Sequence, residues 1–141
     1  MYEIKSTHLL RKLMKEYFIS FDHAKKIAWC TSVGPAELLR SFGFEVYFPE
    51  NHGALLGATR QAGDFIPSTV NLGYAGDICS YLTSDIGAYI NKRTPLQDHY
   101  GMKGIPKPDL IVYNTNQCRE VQEWFNFFAN EFKCPAIGIF P

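Results

Sequence analysis

The sequence predicts an α/β fold: a doubly wound parallel sheet of about four strands with helices on both faces, preceded by an N-terminal helix. Two observations support this. Short apolar runs of strand length alternate with segments whose apolar residues recur every three or four positions. Gly and Pro separate many of these segments. Strands that alternate with helices are joined by right-handed crossovers, so they run parallel and both faces of the sheet are covered.

Composition indicates one folded domain without a strongly charged surface. The chain has 141 residues, of which 46% are hydrophobic and 20% charged, and this excludes a disordered segment. Lys plus Arg and Asp plus Glu both number 14, which disfavours nucleic acid or an anionic membrane as a partner. No apolar stretch approaches the ~18 to 20 residues that span a bilayer, and no signal-peptide segment is visible. We predict a cytoplasmic protein.

We divide the chain into an N-terminal helical segment, residues 1–24, and a Rossmann-like α/β domain, residues 25–141. In the first segment, leucines and other apolar residues at helical spacing predict a helix over residues 7–18. The run Ile27–Cys30 is predicted to be a short buried strand.

The next segment is predicted to hold a helix, a strand and a loop. Pro35 suits the first helical position, and Gly43 stands where that helix would stop. Residues 44–48 are predicted as the second strand, which delivers residues 50–52 into a loop. Residues 53–73 are predicted to be helical in pieces, because Gly and Pro interrupt them.

A second strand and helix pattern fills the remaining chain. Asp77 is predicted to cap a helix that holds Cys79 in its first turn, and residues 91–107 are predicted to form a long irregular connection. The last predicted elements are a strand at 109–113, a helix opened by Cys118 and a strand at 136–140.

Several polar residues directly follow predicted strands. Ser32, Glu50 and Cys118 do so, and ligand sites of such sheets lie beyond the carboxyl ends of the strands. A loop serine is, however, more often a cap or turn residue. Glu50 and His52 form a pair able to act as acid and base, with ordinary solvated loop polarity as the alternative.

The four cysteines fall into two groups. Cys79 and Cys118 each open a predicted helix, where partial positive charge favours the thiolate that binds iron or acts as a nucleophile. Their separation fits no compact metal motif, so buried structural cysteines remain an alternative. Cys30 is predicted to fill the core, and Cys134 is predicted to be structural and away from the site.

Four motifs together resemble the benzoyl-CoA reductase and 2-hydroxyacyl-CoA dehydratase family. The residues Glu-Asn-His and Asn-Thr-Asn-Gln-Cys within them are more similar to the reductases than to the dehydratases. The order and spacing of the motifs match from about residue 25 to the end. The motifs are Trp29-Cys30-Thr31-Ser32-Val33-Gly34-Pro35-Ala36-Glu37-Leu38-Leu39, Tyr47-Phe48-Pro49-Glu50-Asn51-His52, Gly73-Tyr74-Ala75-Gly76-Asp77-Ile78-Cys79-Ser80-Tyr81 and Asn114-Thr115-Asn116-Gln117-Cys118.

The resemblance implies a subunit that holds a four-iron four-sulfur (4Fe-4S) cluster through three cysteines and binds an acyl-CoA thioester beside it. Cys79 and Cys118 match two of these ligands, and the third is expected in a second, similar domain that this chain lacks. The implied partners are a homologous catalytic subunit and an ATP-dependent protein that delivers single electrons. We therefore expect this chain to be the N-terminal portion of such a subunit and inactive alone.

The resemblance also implies roles for four further residues. Ser32 matches a hydroxyl near the open iron position, and Glu50 matches a carboxylate implicated in proton transfer. His52 and Asn116 are predicted to bind substrate.

Three alternatives to a radical-type acyl-CoA reductase stay open. They are a 2-hydroxyacyl-CoA dehydratase subunit, a non-catalytic α/β domain that binds a partner subunit or a CoA-like ligand, and a thiol redox protein. The last requires the Cα atoms of Cys79 and Cys118 to lie no more than about 7 Å apart.

Overall fold

The structure, a computed structural model, describes residues 4–140. Strands alternate with helices as predicted, and within this range no helix is long and apolar enough to span a membrane. In chain order the elements are α1 (Lys5–Ser20), a 3₁₀ turn (Phe21–His23), β1 (Ile27–Cys30), α2 (Ala36–Ser41), β2 (Glu45–Tyr47), α3 (Pro49–Ala58), α4 (Ala62–Val70), α5 (Ser80–Ile90), α6 (Pro95–Tyr100), β3 (Leu110–Asn114), α7 (Arg119–Phe132) and β4 (Ala136–Ile139).

The four strands form one parallel sheet in the order β2-β1-β3-β4. In this register Trp29 of β1 lies between Tyr47 of β2 and Ile111 of β3. The chain moves from β1 outward to β2 and then returns to the other side of β1 for β3 and β4. Right-handed crossovers in opposite directions place helices on opposite faces, so the predicted doubly wound sheet is confirmed. The carboxyl ends of β1 and β3 form its switch point.

Alternating side chains of the strands supply two apolar layers. On the larger side, Trp29 packs against Phe128 of α7 with ring centroids 4.8 Å apart. Phe18 and Phe21, from α1 and the turn after it, belong to this same core. The smaller side consists of Ala28, Cys30, Val46 and Val112, covered by Ala36 and Leu39 of α2. The period of two along each strand therefore explains why both faces are apolar.

Helix α5 is the most deeply buried of the described helices, and all of its residues from 82 to 88 are buried. Two glycines let neighbouring helices approach it closely. A Cβ atom at Gly87 would overlap the backbone carbonyl of Phe65 in α4, and a Cβ at Gly53 of α3 would lie 3.0 Å from the Cβ of Tyr81. The position of α5 thus depends on backbones that carry no side chain at the contact.

Replacement of Gly87 with Ala should separate α4 from α5 and lower the free energy of unfolding by about 2 to 3 kcal/mol, because the new methyl group has no room. Urea denaturation measures the effect. Gly57→Ala is the matched control, since no atom lies within 4 Å of a Cβ there and α3 should gain about 0.5 to 1 kcal/mol. Equal stability of the two variants would contradict the close contact.

One sequence prediction about the segment after β2 is wrong. Residues 50–52 are not in a loop, because α3 begins at Pro49 directly after the strand. Proline suits the first helical turn, where its missing N–H has no partner to lose. The predicted helical pieces that follow are confirmed as the rest of α3 and as α4.

Two further boundaries differ from the predictions. The connection at residues 91–107 is not wholly irregular, since it contains α6, which begins with a capping box between Thr94 and Gln97. Asp77 does not cap α5; the N-cap residue is Cys79, one position before the first helical residue. Short elements with few apolar residues carry too little periodicity to be located from sequence.

Candidate functional site

Ser32 and Glu50 make the best-defined polar contact at the carboxyl edge of the sheet. Ser32 follows β1, and Glu50 lies in the first turn of α3 after β2. The backbone N–H and the hydroxyl of Ser32 both donate to Oε2 of Glu50, at 2.5 and 2.6 Å. Both residues lie at the carboxyl edge of the sheet, as their predicted positions after strands imply, and their catalytic roles stay predictions.

The loop that carries Ser32 is held from two sides. The side-chain amide of Asn114, at the end of β3, donates to the carbonyl of Val33 at 2.7 Å. Gly34 sits so close to β1 that a Cβ would lie 2.5 Å from the Sγ of Cys30. The hydroxyl of Ser32 is therefore placed by the strand ends on either side of the switch point.

Two buried polar atoms at this edge have no hydrogen-bond partner within residues 4–140. They are Oγ1 of Thr31 and Oε1 of Gln117, which directly precede Ser32 and Cys118. Buried polar groups are nearly always satisfied, so a ligand or water is expected to reach them. Sequence reasoning missed both residues, because Thr and Gln are ordinary in a turn and carry no distinguishing pattern.

Cys79 and Cys118 occupy equivalent positions, the N-caps of α5 and α7. Neither side chain caps its own helix, so both sulfur atoms are free of that role. Cys118 is exposed and Cys79 is half-buried. The unpaired N–H groups of a first helical turn favour a thiolate nearby. The prediction that each cysteine stands at the start of a helix is confirmed.

A groove of about 180 Å³ lies between the starts of α5 and α7. Its lining includes Ile78, the residue before Cys79, and Arg119, the residue after Cys118. The groove therefore adjoins both cysteine positions, and both residues are free thiols. Within the described part of the chain, no group of three or more His, Cys, Asp or Glu side chains could hold a metal ion.

Helix α3 connects the serine–glutamate pair to helix α5. Gly53, one turn after Glu50, packs directly against Tyr81 in the first turn of α5. The helix that carries Glu50 therefore contacts the helix that Cys79 opens. The edge of the sheet gathers Ser32 and Glu50 in direct contact, with the two cysteine positions on neighbouring elements.

His52 lies in a cluster of buried polar side chains beneath this edge. Its ring is fully buried, Nδ1 contacts Oδ1 of Asp85, and Nε2 lies 2.6 Å from the hydroxyl of Thr94. The indole N–H of Trp124 donates to Oδ2 of Asp85 at 2.8 Å. These four residues, the buried polar cluster, join α3, α5, α7 and the N-cap of α6. Asp85 thereby ties together the helices next to Glu50, Cys79 and Cys118.

Sequence reasoning missed Asp85, although a signal existed. Asp85 follows Leu82 by three positions and directly precedes Ile86, within the apolar face of its helix. A carboxylate in an apolar stripe must find buried partners, because burying an unpaired charge is costly. His52 and Trp124 are those partners, and their separation in sequence hid the connection.

The two predicted substrate-binding residues have very different environments. Asn116 is exposed in the turn after β3. It lies next to the carboxyl edge of the sheet that holds Ser32 and Glu50, which we call the site edge. His52 has both ring nitrogens engaged inside the protein. Substrate binding by both stays a prediction, and for His52 it would require the ring to leave the buried polar cluster.

The other two cysteines, Cys30 and Cys134, have thiols whose pKa is raised by burial, as expected of structural residues. Cys30 is fully buried in β1, and burial, with a smaller effect of Glu50, raises the pKa of its thiol to about 12. Cys134 lies between α7 and β4, and burial raises its pKa as well.

Thiol reactivity should therefore distinguish the cysteines. At about pH 8, Ellman's reagent is expected to label exposed Cys118 rapidly and to leave Cys30 unreacted until the chain unfolds. Because the pKa of the Cys30 thiol is raised, the buried neutral thiol contributes fully to the stability of the folded protein below about pH 9. This contribution is lost as the pH rises toward about 12 and the thiol ionises. Peptide mapping after labelling checks the order, with Cys118→Ala as the control. Labelling of Cys30 in the folded protein would contradict its buried position.

The fold and its edge define a class: an α/β domain with a serine–glutamate pair at the carboxyl edge of a parallel sheet and two cysteines at the N-cap positions of helices. Residues 31–140 match the family described as "2-hydroxyglutaryl-CoA dehydratase, D-component". The chain belongs to this family, and the resemblance predicted from the four motifs is confirmed.

Curated relatives come from both branches of the resemblance. The chain is 28% identical to the (R)-phenyllactyl-CoA dehydratase alpha subunit of Clostridium sporogenes, over 97% of this chain and 33% of the relative. It is 28% identical to the (R)-2-hydroxyisocaproyl-CoA dehydratase alpha subunit of Clostridioides difficile, over 93% and 31%. It is 27% identical to a benzoyl-CoA reductase subunit of Thauera aromatica, over 72% and 22%. The chain spans about a third of the length of the dehydratase relatives.

Proposed function

We propose that this chain is the acyl-CoA-handling, cluster-binding domain of an ATP-dependent, radical-type acyl-CoA reductase similar to benzoyl-CoA reductase. The observation that carries the proposal is the Ser32–Glu50 contact on the edge where Cys79 and Cys118 begin helices. Membership of the family supplies the acyl-CoA substrate class. The choice of a reductase over a dehydratase is based on the residues of the motifs around Glu50 and Cys118, which are more similar to those of the reductases.

The residues present fit part of the binding site for a 4Fe-4S cluster. Thiolates are the usual ligands of such clusters, and both cysteines lie at helix N-termini with side chains that cap nothing. Two cysteines leave such a site incomplete, so a further ligand has to come from outside this chain. When bound, the cluster would supply single electrons at low potential.

The chain's own residues would handle protons and position the substrate. Oε2 of Glu50 is occupied by two hydrogen bonds from Ser32, which fixes the carboxyl group and leaves Oε1 to give or take a proton. Exposed Asn116 would contact the substrate from the carboxyl end of the neighbouring strand β3. His52, through Asp85, would hold the helix that carries Glu50 at the correct depth.

Two other functions remain candidates. A 2-hydroxyacyl-CoA dehydratase subunit is favoured by the dehydratase relatives, which align with 97% and 93% of this chain against 72% for the reductase. A non-catalytic domain that pairs with another subunit is favoured by the lack, within residues 4–140, of a complete metal-binding group. In either enzyme branch, the partners would be a homologous subunit and an ATP-dependent electron-donating protein.

The test is iron and acid-labile sulfide per chain after anaerobic purification and reconstitution. Reconstituted together with the homologous subunit that supplies the further ligand, the wild-type chain should hold iron, and Cys79→Ala and Cys118→Ala should each lose it. Cys134→Ala is the matched control, because this cysteine lies between α7 and β4 and should not affect loading. Iron retained in both site variants would overturn the ligand assignment. No iron in any protein would favour the non-catalytic domain.

A further inference from the structure

A second cavity, of about 270 Å³, lies at the end of α5 opposite to Cys79. Its walls come from the end of α5, the segment before β3 and the end of α7. We call it the basic cavity and define it by Tyr89, Lys92, Arg93, Lys103 and Phe132. Because α5 has 11 residues at about 1.5 Å each, roughly 16 Å of helix separates this cavity from the site edge.

The basic cavity concentrates uncompensated positive charge. Lys92, Arg93 and Lys103 line it, all three are exposed, and no Asp or Glu is among its lining residues. None of the three forms an ion pair with a carboxylate in the part of the chain that the structure describes. The carboxylate of Glu131 instead accepts a hydrogen bond from the Tyr89 hydroxyl, at 3.2 Å. Three cations around one opening create a local field that attracts anions.

Helix stabilisation does not account for all three charges. Lys92 and Arg93 follow Asn91, the C-cap residue of α5, and cations near the C-terminal end of a helix interact favourably with the helix dipole. Lys103 comes from the connection after α6 and has no such helix end to stabilise. Its convergence with the other two is a feature of the tertiary structure, and a multiply charged anion would be contacted from two sides.

The opposite wall is aromatic. The rings of Tyr89 and Phe132 lie 5.4 Å apart at 65°, and both are half-buried. The guanidinium of Arg93 lies 5.9 Å from the centre of the Phe65 ring, which limits its freedom beside the cavity. Such rings offer a surface for a flat group, since stacking on aromatic side chains holds bases of any identity.

We propose that the basic cavity binds a nucleotide, with its phosphates on Lys92, Arg93 and Lys103 and its base against Tyr89 and Phe132. Two kinds of ligand carry such phosphates and such a base: a free nucleotide and the nucleotide end of a CoA thioester. The proposal uses no residue of the site edge; CoA as its ligand rests on the proposed function, and a free nucleotide as its ligand does not.

The binding test is calorimetric titration of the intact chain at low salt with ADP, CoA, adenosine and inorganic pyrophosphate. ADP should bind, adenosine and pyrophosphate should bind more weakly, and added salt should weaken ADP binding. Lys92→Glu and Lys103→Glu should each weaken ADP binding roughly tenfold or more, because each places a negative charge against the phosphates. Lys25→Glu is the matched control: it makes the same charge change at an exposed lysine that does not line the cavity.

These titrations distinguish a free nucleotide from CoA as the ligand, and they distinguish the basic cavity from the proposed cluster site. Competition between ADP and CoA supports CoA as the ligand, and ADP binding without CoA binding supports a free nucleotide. The proposal would be overturned if neither Lys92→Glu nor Lys103→Glu changed the affinity for ADP. It would also be overturned if pyrophosphate bound as tightly as ADP, or if neither ADP nor CoA bound. So would CoA binding that persists in both variants without ADP binding. The reversals should leave iron content unchanged, so a failed cluster assignment is recognised separately.

Discussion

Replacement of Asp85 with Ala is expected to lower the free energy of unfolding by about 3 to 5 kcal/mol, the largest effect on stability that we predict. The carboxylate is almost completely buried and contacts both the His52 ring and the indole N–H of Trp124. Its removal leaves two buried polar groups without partners and a void between three helices. Urea denaturation followed by circular dichroism measures the loss.

Two comparisons make the result specific to the buried polar cluster. Asp64→Ala removes an exposed carboxylate from the first turn of α4 and should cost no more than about 1 kcal/mol. Removal of His52 should cost less in the Asp85→Ala background than in the wild type, because the two effects share one contact. Additive effects, or an Asp85 variant as stable as the Asp64 variant, would show that the contact contributes little.

If the proposed function holds, replacement of Glu50 with Gln should reduce turnover by the assembled enzyme about 10² to 10⁴-fold and cost no more than about 1 kcal/mol of stability. The amide has nearly the same shape, and its oxygen can still accept the hydrogen bonds of Ser32, but it cannot transfer a proton. Turnover of the acyl-CoA substrate with the partner proteins present, beside thermal unfolding of this chain, measures the two effects.

The control for Glu50 is Glu37→Gln, which makes the same chemical change on the exposed side of α2. It should alter neither turnover nor stability. A Glu50→Gln enzyme with wild-type turnover would exclude proton transfer by this residue. Equal loss in both variants would point to a general effect of charge on the assembly.

The elements with strong local patterns were predictable from sequence. Ile27–Cys30 was located to the residue, because a short apolar run between polar segments has few other conformations available. The long helix that ends in Phe132 was equally clear, because its aromatic residues recur at helical period. Parallel strands then place Ser32 and Glu50 on one edge, and their hydrogen bonds confirm the proximity.

The sequence by itself therefore determined the fold class and the family, and it placed Ser32 and Glu50 at one edge of the sheet, all of which follow from local periodicity and short motifs. Only the tertiary structure decided that His52 is buried, because its partners Asp85 and Thr94 lie 33 and 42 positions away. It also decided that Lys103 meets Lys92 and Arg93 at one cavity. Contacts between residues far apart in the chain depend on how helices pack, and no local pattern encodes that distance.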